Sequence, residues 1–542
     1  MKTKILKCAI TIILSILIAV SLTGCIPKRD LLPTMAPTAE PDKNQAHKLE
    51  LIVEPKEGGS AKLSTTEVKY DDVAELTVEC ADGYRLSSIK VGYDEIFLND
   101  NIGYITNVID DTAVTVRFSE EKASTAETVV PGSITTTFYD EDAKEFGITW
   151  HTKKPGHPIV KYIKAGGQTL ENVDFTEAIT VTGYTQFTAA NYKNYVALTN
   201  LEYDTKYFYI CGDAEHEVYS EVYSFTTRKE NQQEVTFLHF SDTQDTENNG
   251  SIWAAGLKHG YTTYPETNFV IHTGDIVQEG GLEEQWNLML GNAAPYLKDS
   301  VLVGTAGNHD YWADYLYYAT ECTYSHFNIK LPFQNSVYGM YYSFDYGDAH
   351  FTVLNTGDTM ETGNAGLTDS QINWLKEDLL STDKKWKIVA MHNPLYSPGK
   401  YGSSPEYNTV AKNLRVQLNS VLSGCGVDLV LTGHDHVYSC TYPVSSEGKA
   451  IKGTKVKNEN GIEYFINPQG PVHLASGVAG HQTRGVMEEE KDMFKDMMAT
   501  VDGNCYYSAI TVDGNKLNVE FYGVDINSGE GKKLYSWGIL KE

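Results

Sequence analysis

The stretch LHFSDTQ, residues 238–244, closes an apolar run that begins at Val235. Four later stretches repeat its design: TGDIV at 273–277, GNHD at 307–310, MHNP at 391–394 and GHDH at 433–436. Each follows a short β-branched or apolar run that reads as a buried strand, and each ends on side chains able to bind a metal. Helical patterns lie between them, at 282–290 and at 370–380, the latter with Ile372, Leu375 and Leu379 at helical spacing. Strands alternating with helices over 234–542 predict a layered α/β domain, closed by a hairpin in YYSAITVDGNKLNVEFYGVD with Asp513-Gly514 at its turn.

In open α/β sheets, ligands bind beyond the carboxyl ends of the strands, which is where all five motif tips fall. Asp, Asn and His at several such tips can converge on one point. A phosphoester is a hard, multiply charged oxygen substrate, and two cations about 3.5–4 Å apart can hold both its nucleophile and its ester oxygen. Mixed carboxylate, amide and imidazole donors suit Fe, Mn or Zn.

Upstream of this domain the sequence is of another kind. Short strands recur over 128–228 without helical pattern, predicting a β-sandwich. Trp150 within it either fills the core or reaches the catalytic pocket, the core being the usual place for a tryptophan. Residues 49–120 carry alternating or β-branched runs separated by Gly, Asp and Asn, a small all-β module with no catalytic constellation. Residues 25–48 are rich in Pro, Lys, Asp, Thr and Ala and read as a flexible linker. Residues 1–24 carry Lys2, Lys4 and Lys7 ahead of an apolar stretch and small residues, a secretory signal too short to span a bilayer.

The net charge of the 542-residue chain is −28, and loss of residues 1–24 would make it three charges more negative. So acidic a body repels polyanions, so nucleic acid is not an expected partner. The cysteines after Cys25 are widely spaced with no CxxC pair, which favours free thiols, with at most a single bridge, over a disulfide framework or zinc cluster.

Three resemblances follow. The five motifs in this order resemble the calcineurin-like metallophosphoesterases. With the sandwich phrases GITWHT, LTNLEYDTKYFYICGD and SEVYSFTTR, which look like the fibronectin type III-like domain preceding such enzymes, the match is closest to the purple acid phosphatase branch. LTGC at 22–25 resembles a bacterial lipoprotein box, which implies a lipid on Cys25 and a protein tethered to the extracellular face of the cell membrane. GGSAKLS, VAELTVECADGYRLSSIKVG and TAVTVRFSE resemble the small β modules of internalin-type B repeats, implying a spacer or adhesion role.

The first resemblance implies an α/β domain of four layers, two sheets flanked by helices. It implies phosphate-ester hydrolysis by a metal-bound hydroxide at a dinuclear site, acting on a small molecule or a phosphorylated surface substrate. Asp275 would bridge two ions, Asp242 and His436 would hold the first, and Asn308, His392 and His434 the second. His309 would stand at the leaving oxygen, with Asp310 orienting its ring. The chain departs from the pattern twice. Gln244 stands where the family commonly has His, and Gln278 where purple enzymes have the coloured tyrosinate ligand. Gln244 is a weak ligand, a neighbour of the ligands, or yields to Asp245. Tyr311, Trp312, Tyr315, Tyr317 and Tyr318 line a substrate pocket or a packed face, and Tyr396, Tyr401 and His481 are further pocket candidates. The competing reading is a surface binding or adhesion protein whose phosphatase-like domain has lost catalysis.

Overall fold

A computed structural model describes residues 45–542 except 71, 82, 93, 97–101, 106–107, 121–123, 189–190, 246–249, 314–316, 319–320, 331–340, 358–365 and 488. The signal sequence, Cys25 and most of the linker lie outside the described residues, as does Tyr315. Of Trp312, Tyr317 and Tyr318 only the backbone is described, in a two-stranded pairing of Trp312–Ala313 with Tyr317–Tyr318.

The N-terminal module packs a five-stranded sheet against a three-stranded one around Leu76, Ile89, Val114 and Val116. Its first and last long strands, His47–Glu54 and Thr112–Glu120, lie side by side in parallel. The next unit is a sandwich. One sheet runs Tyr184–Thr188, Asn191–Leu198, Phe146–Thr152, Gly132–Phe138; the other is built around Pro158–Lys164 and Lys206–Asp213. Alternation along these strands sends Phe146, Ile148 and Trp150 into the core, and Trp150 is a core tryptophan.

The α/β portion begins with β1 (Val235–Phe240), α1 (Ser251–Thr263), β2 (Phe269–His272), α2 (Glu283–Leu297) and β3 (Leu302–Gly304). β1, β2 and β3 pair in parallel, and the tail hairpin Asn504–Asp513 and Lys516–Asp525 adds on the other side of β1, in an eight-stranded sheet. Further along come α3 (Asp369–Ser381), β4 (Trp386–Ala390), α4 (Thr409–Gly424) and β5 (Leu429–Thr432), with β4 and β5 parallel in a seven-stranded sheet.

Residue alternation shows how the sheets face. Phe237 on β1 meets Phe351 of the seven-stranded sheet edge to face at 5.3 Å, and Ser476 of that sheet contacts His239 at 2.7 Å. The intervening Leu238 and Phe240 point the other way, against Gly260 and Gly256 of α1, where a Cβ would come within 2.5 Å and 2.9 Å of them. On the second sheet Ile388 and Leu431 join the shared core, while Val389 and Val430 pack with Leu375 and Leu379 of α3 and Leu414 and Leu418 of α4. Among the described residues no helix is long and apolar enough to cross a membrane, and Cys211, Cys425, Cys440 and Cys505 are free thiols.

Sandwich and α/β portion share that core. Phe138 inserts between the sheets at 5.5 Å from Phe269 and 5.1 Å from Phe344. Beside it lies a buried polar seam: Lys193 of the sandwich pairs with Glu283 at the start of α2 and lies 2.8 Å from His326 Nε2. Ser133 also donates to Glu283, and Trp286 stacks on His326 at 3.9 Å. A buried ion pair is tolerated only when its remaining polar atoms are satisfied, and here hydroxyl and imidazole groups complete the set.

Candidate metal centre

All five motif loops leave the carboxyl ends of β1 to β5 and meet. Asp275 is common to two groups of potential donors, Asp275 with His392 and His434, and Asp242 with Asp275 and His436; within each group the candidate atoms lie within 4.8 Å of one another. His392 Nε2 is 3.2 Å from Asp275 Oδ2 and 3.3 Å from Asn308 Oδ1; His436 Nε2 is 3.3 Å from Asp242 Oδ1; His434 Nδ1 is 3.2 Å from His392 Nε2. The Gln244 amide end lies 3.3 Å from Asp275 Oδ2 and 3.4 Å from His436 Nε2, while its Oε1 is buried without a hydrogen-bond partner. Gln244 thus lies beside the converging donors, with Nε2 toward them.

The backbone is bent to achieve this. Asp242, Asp275, His434 and His436 all have positive φ, at 55°, 54°, 73° and 53°. A non-glycine residue there costs roughly 1–3 kcal/mol and persists only where its surroundings over-determine it. Here the loops lace together: His434 N donates to both Asp242 carboxylate oxygens, Thr243 and Gln244 N donate to Asp275 O, and His309 N donates to Asp275 Oδ1 at 2.8 Å. Close approach also demands glycine. A Cβ on Gly307 would sit 2.2 Å from Asp275 Oδ1, and one on Gly433 1.8 Å from Ser241 Oγ.

Two of the imidazoles are aimed by backbone carbonyls. His392 Nδ1 donates to Thr273 O at 2.7 Å and His436 Nδ1 to Gln482 O at 2.5 Å, which leaves each Nε2 facing the centre. Burial opposes every charge here, yet His436 holds Asp242, and His392 holds Asp275, below the usual carboxylate range. Burial also disfavours a proton on His392, but Asp275 and Asp242 outweigh it and bring its pKa to about 9; burial, aided by His392, takes His434 down to about 3. Two ionised carboxylates, three imidazoles and the Asn308 amide, with the orphaned Gln244 oxygen, form a donor set that fits two cations sharing Asp275.

Other predicted residues fall differently. Asp310 does not orient His309: its carboxylate accepts from the backbone N–H of Ile276, Val277 and Gly307, tying the second and third loops together. Burial, then Asp275, pushes its pKa up to about 7. The His309 ring faces Gln278 instead, with Nδ1 3.0 Å from the main-chain oxygen and 2.9 Å from the side-chain amide. Tyr311 is buried, its hydroxyl donating to Asn355 and its ring pressed on Gly357, so it is wall rather than open pocket. Tyr396 lies under a separate groove of about 520 Å³ with Arg415, Asn419 and Glu490, lined by none of the donors. His481 is exposed beside Gly480, which packs on the backbone of Asp242 and Gln244. Tyr401 does meet the centre, its ring 4.6 Å from that of His434.

One residue was not foreseen. Arg484 lies over the Tyr401 ring at 4.8 Å and donates to the carbonyl of the strained His434 at 2.7 Å. Only its being the single arginine in SGVAGHQTRG marks it in the sequence.

With this geometry in view, comparison with known proteins is direct. Residues 235–438 match the calcineurin-like phosphoesterase family and residues 131–227 the purple acid phosphatase N-terminal domain. The chain is 29% identical to an acid phosphatase of Aspergillus ficuum over 34% of its own length and 36% of that enzyme's. It is 24% identical to acid phosphatase type 7 of Danio rerio over 61% and 75%, and 26% identical to a phosphoenolpyruvate phosphatase of Allium cepa over 70% and 76%. In fold it resembles a purple acid phosphatase from yellow lupin seeds (TM-score 0.59, 15% identity, 92% of this chain and 97% of that one) and PhoD (TM-score 0.53, 14% identity, 78% and 92%). These likenesses mark a phosphoric ester hydrolase of the metallophosphoesterase class. More particularly, the chain joins a calcineurin-like phosphoesterase domain to a purple acid phosphatase N-terminal domain, a fold that implies a dinuclear metal site.

Proposed function

We propose that this chain hydrolyses phosphate esters of small molecules or of phosphorylated surface components, at a pair of ions held by Asp242, Asp275, Asn308, His392, His434 and His436, with Gln244 turning its amide oxygen to the first. The observation that carries this is the sharing of Asp275 between both donor groups. Two cations there would draw charge from the phosphoryl oxygens and acidify water enough to attack near neutral pH. The protein's own residues do the rest: Thr273 and Gln482 aim the imidazoles, the backbone lacing holds the ligands, and His309 stands one residue from Asn308 to meet the leaving oxygen. Fe, Mn or Zn suit the donors. We read the α/β portion as four layers, with the centre at the shared carboxyl edge of its sheets. The LTGC run supports tethering through Cys25 at the outer face of a bacterial membrane, with residues 49–120 as a spacer.

The test is hydrolysis of an aryl phosphate and a bis-aryl phosphate by metal-stripped protein to which Mn, Fe, Zn or Mg is returned, with metal content measured on the same samples. Turnover with about two ions per chain is expected. No turnover with any metal would sink the proposal and favour the non-catalytic binder, whose support is Gln244 in place of a charged or imidazole donor.

A further inference from the structure

We infer that Gln278 is the positioning residue of His309, setting both the direction and the tautomer of its ring. This rests on the phosphoesterase reading above. Two groups of the same residue face one ring nitrogen: the Gln278 main-chain oxygen at 3.0 Å and its side-chain amide, placed with Nε2 at 2.9 Å from Nδ1. A carbonyl oxygen at that distance is an acceptor, so Nδ1 carries a proton; a bare nitrogen would set lone pair against lone pair. Beside that protonated nitrogen the side-chain amide is satisfied only when turned by 180°, with its oxygen in the place Nε2 holds and accepting the same proton, since an amide's orientation follows from its network. With Nδ1–H held, Nε2 across the ring is the atom that exchanges a proton with substrate. As water's oxygen bonds to phosphorus, the ester P–O bond breaks with its electron pair going to the leaving oxygen, which takes the proton from Nε2 of the imidazolium and leaves the neutral ring with its proton on Nδ1.

The loop carrying Gln278 is itself braced. Gln285 of α2 accepts with Oε1 from the backbone N–H of Gln278 and Glu279, at 3.0 and 2.9 Å. Trp286 Nε1 donates to Gly280 O at 2.9 Å, and Gly280 N donates back to His309 O at 3.1 Å. The same helix turn holds Glu283, paired with Lys193, and Trp286 stacks on His326. A continuous set of contacts therefore runs from the sandwich through the first turn of α2 to the ring of His309. None of these side chains belongs to the donor groups built on Asp275, so metal content measured on each variant separates the effect from metal binding.

Two measurements test the inference. In metal-free protein with ¹⁵N-labelled histidine, the ring signals lost in His309→Ala identify His309; at a pH where it is neutral they should show the Nδ1–H form in the wild type and a mixture with the Nε2–H form in Gln278→Ala. In metal-loaded enzyme, Gln278→Ala should slow an alkyl phosphate, whose poor leaving group needs the proton, by about tenfold, and a nitrophenyl phosphate far less, with KM and metal content held. Gln278→Glu, which keeps an acceptor, should restore most of the loss, and Gln278→Ala should add nothing in a His309→Ala background. An unchanged tautomer, or an equal loss with and without His309, overturns the inference. Absence of turnover in the wild type would strike the phosphoesterase reading instead, and the nitrogen spectra would still decide the role of Gln278.

Discussion

Asp275 concentrates the chemistry of the centre in one carboxylate. Its Oδ2 faces His392 and Gln244, its Oδ1 accepts from His309 N, and its main-chain oxygen holds the loop of Gln244. Asp275→Ala should therefore lose both ions together, measured as metal per chain after dialysis, whereas loss of His436 should spare the second ion. A different buried histidine governs stability. His350 bridges Asp345 and Asp378 at 2.8 and 2.9 Å; burial disfavours its charge, but the two carboxylates outweigh that and bring its pKa to about 9. A pKa raised above the unfolded value of about 6.5 stabilises fully below that pH and is lost as pH rises through 9. The difference in unfolding free energy between wild type and His350→Gln should be on the order of 3 kcal/mol near pH 6 and fall toward zero by pH 10. At this scale the sequence was most informative where a residue's place is set by its own turn, as for Asp242, Asn308 and His436. It marked Gln278 only as a departure from the family pattern and was silent on Arg484, because the partners of both arrive from other loops.

The elements that carry the centre were legible for a simple reason. β1 to β5 are buried on both faces, so each is an apolar run, and each run stops where the chain turns toward the ligands. The strand Ile179–Thr182 is mostly exposed and lacks that signature, and Ile462–Ile466 and Gly531–Leu540 join the first sheet by pairings no local pattern encodes. Helix α3 shows how an element far from the ligands still supports them. Thr368 caps it by accepting from Gln371 N, and the Gln371 amide bonds both the N–H and the C=O of Asn355, the residue that receives the Tyr311 hydroxyl next to Asp310. Thr368→Ala should cost about 1 kcal/mol, read as a lower urea midpoint with unchanged slope, and leave metal content alone.

In the whole molecule the decisive feature is the seam between sandwich and α/β portion. Phe138 fills the space between the two sheets, and Lys193 lies fully buried against Glu283. Lys193→Met would strand the Glu283 charge in the interior, at a cost of about 3–5 kcal/mol. Urea unfolding followed by tryptophan fluorescence should show that loss, and turnover should fall with it because α2 braces the Gln278 loop. Composition divides the chain at about residue 230, where strand-only pattern gives way to alternating strands and helices. The seam itself is illegible in that pattern, since Lys193 reads as a solvent-facing strand residue until its partner is known.

That shared core bears on descent as well as on stability. A recombination joint placed between the sandwich and β1 would leave Phe138 facing water on one fragment and an open cleft among Phe269, Phe344 and Tyr346 on the other. The physical unit that has to be carried intact is therefore the two domains together. That unit reaches back beyond Gly132, since Val129 is buried, Thr128 O accepts from Lys154 N and Ser124 O lies 3.1 Å from His216 Nε2, so a joint that spares it has to fall upstream of Ser124.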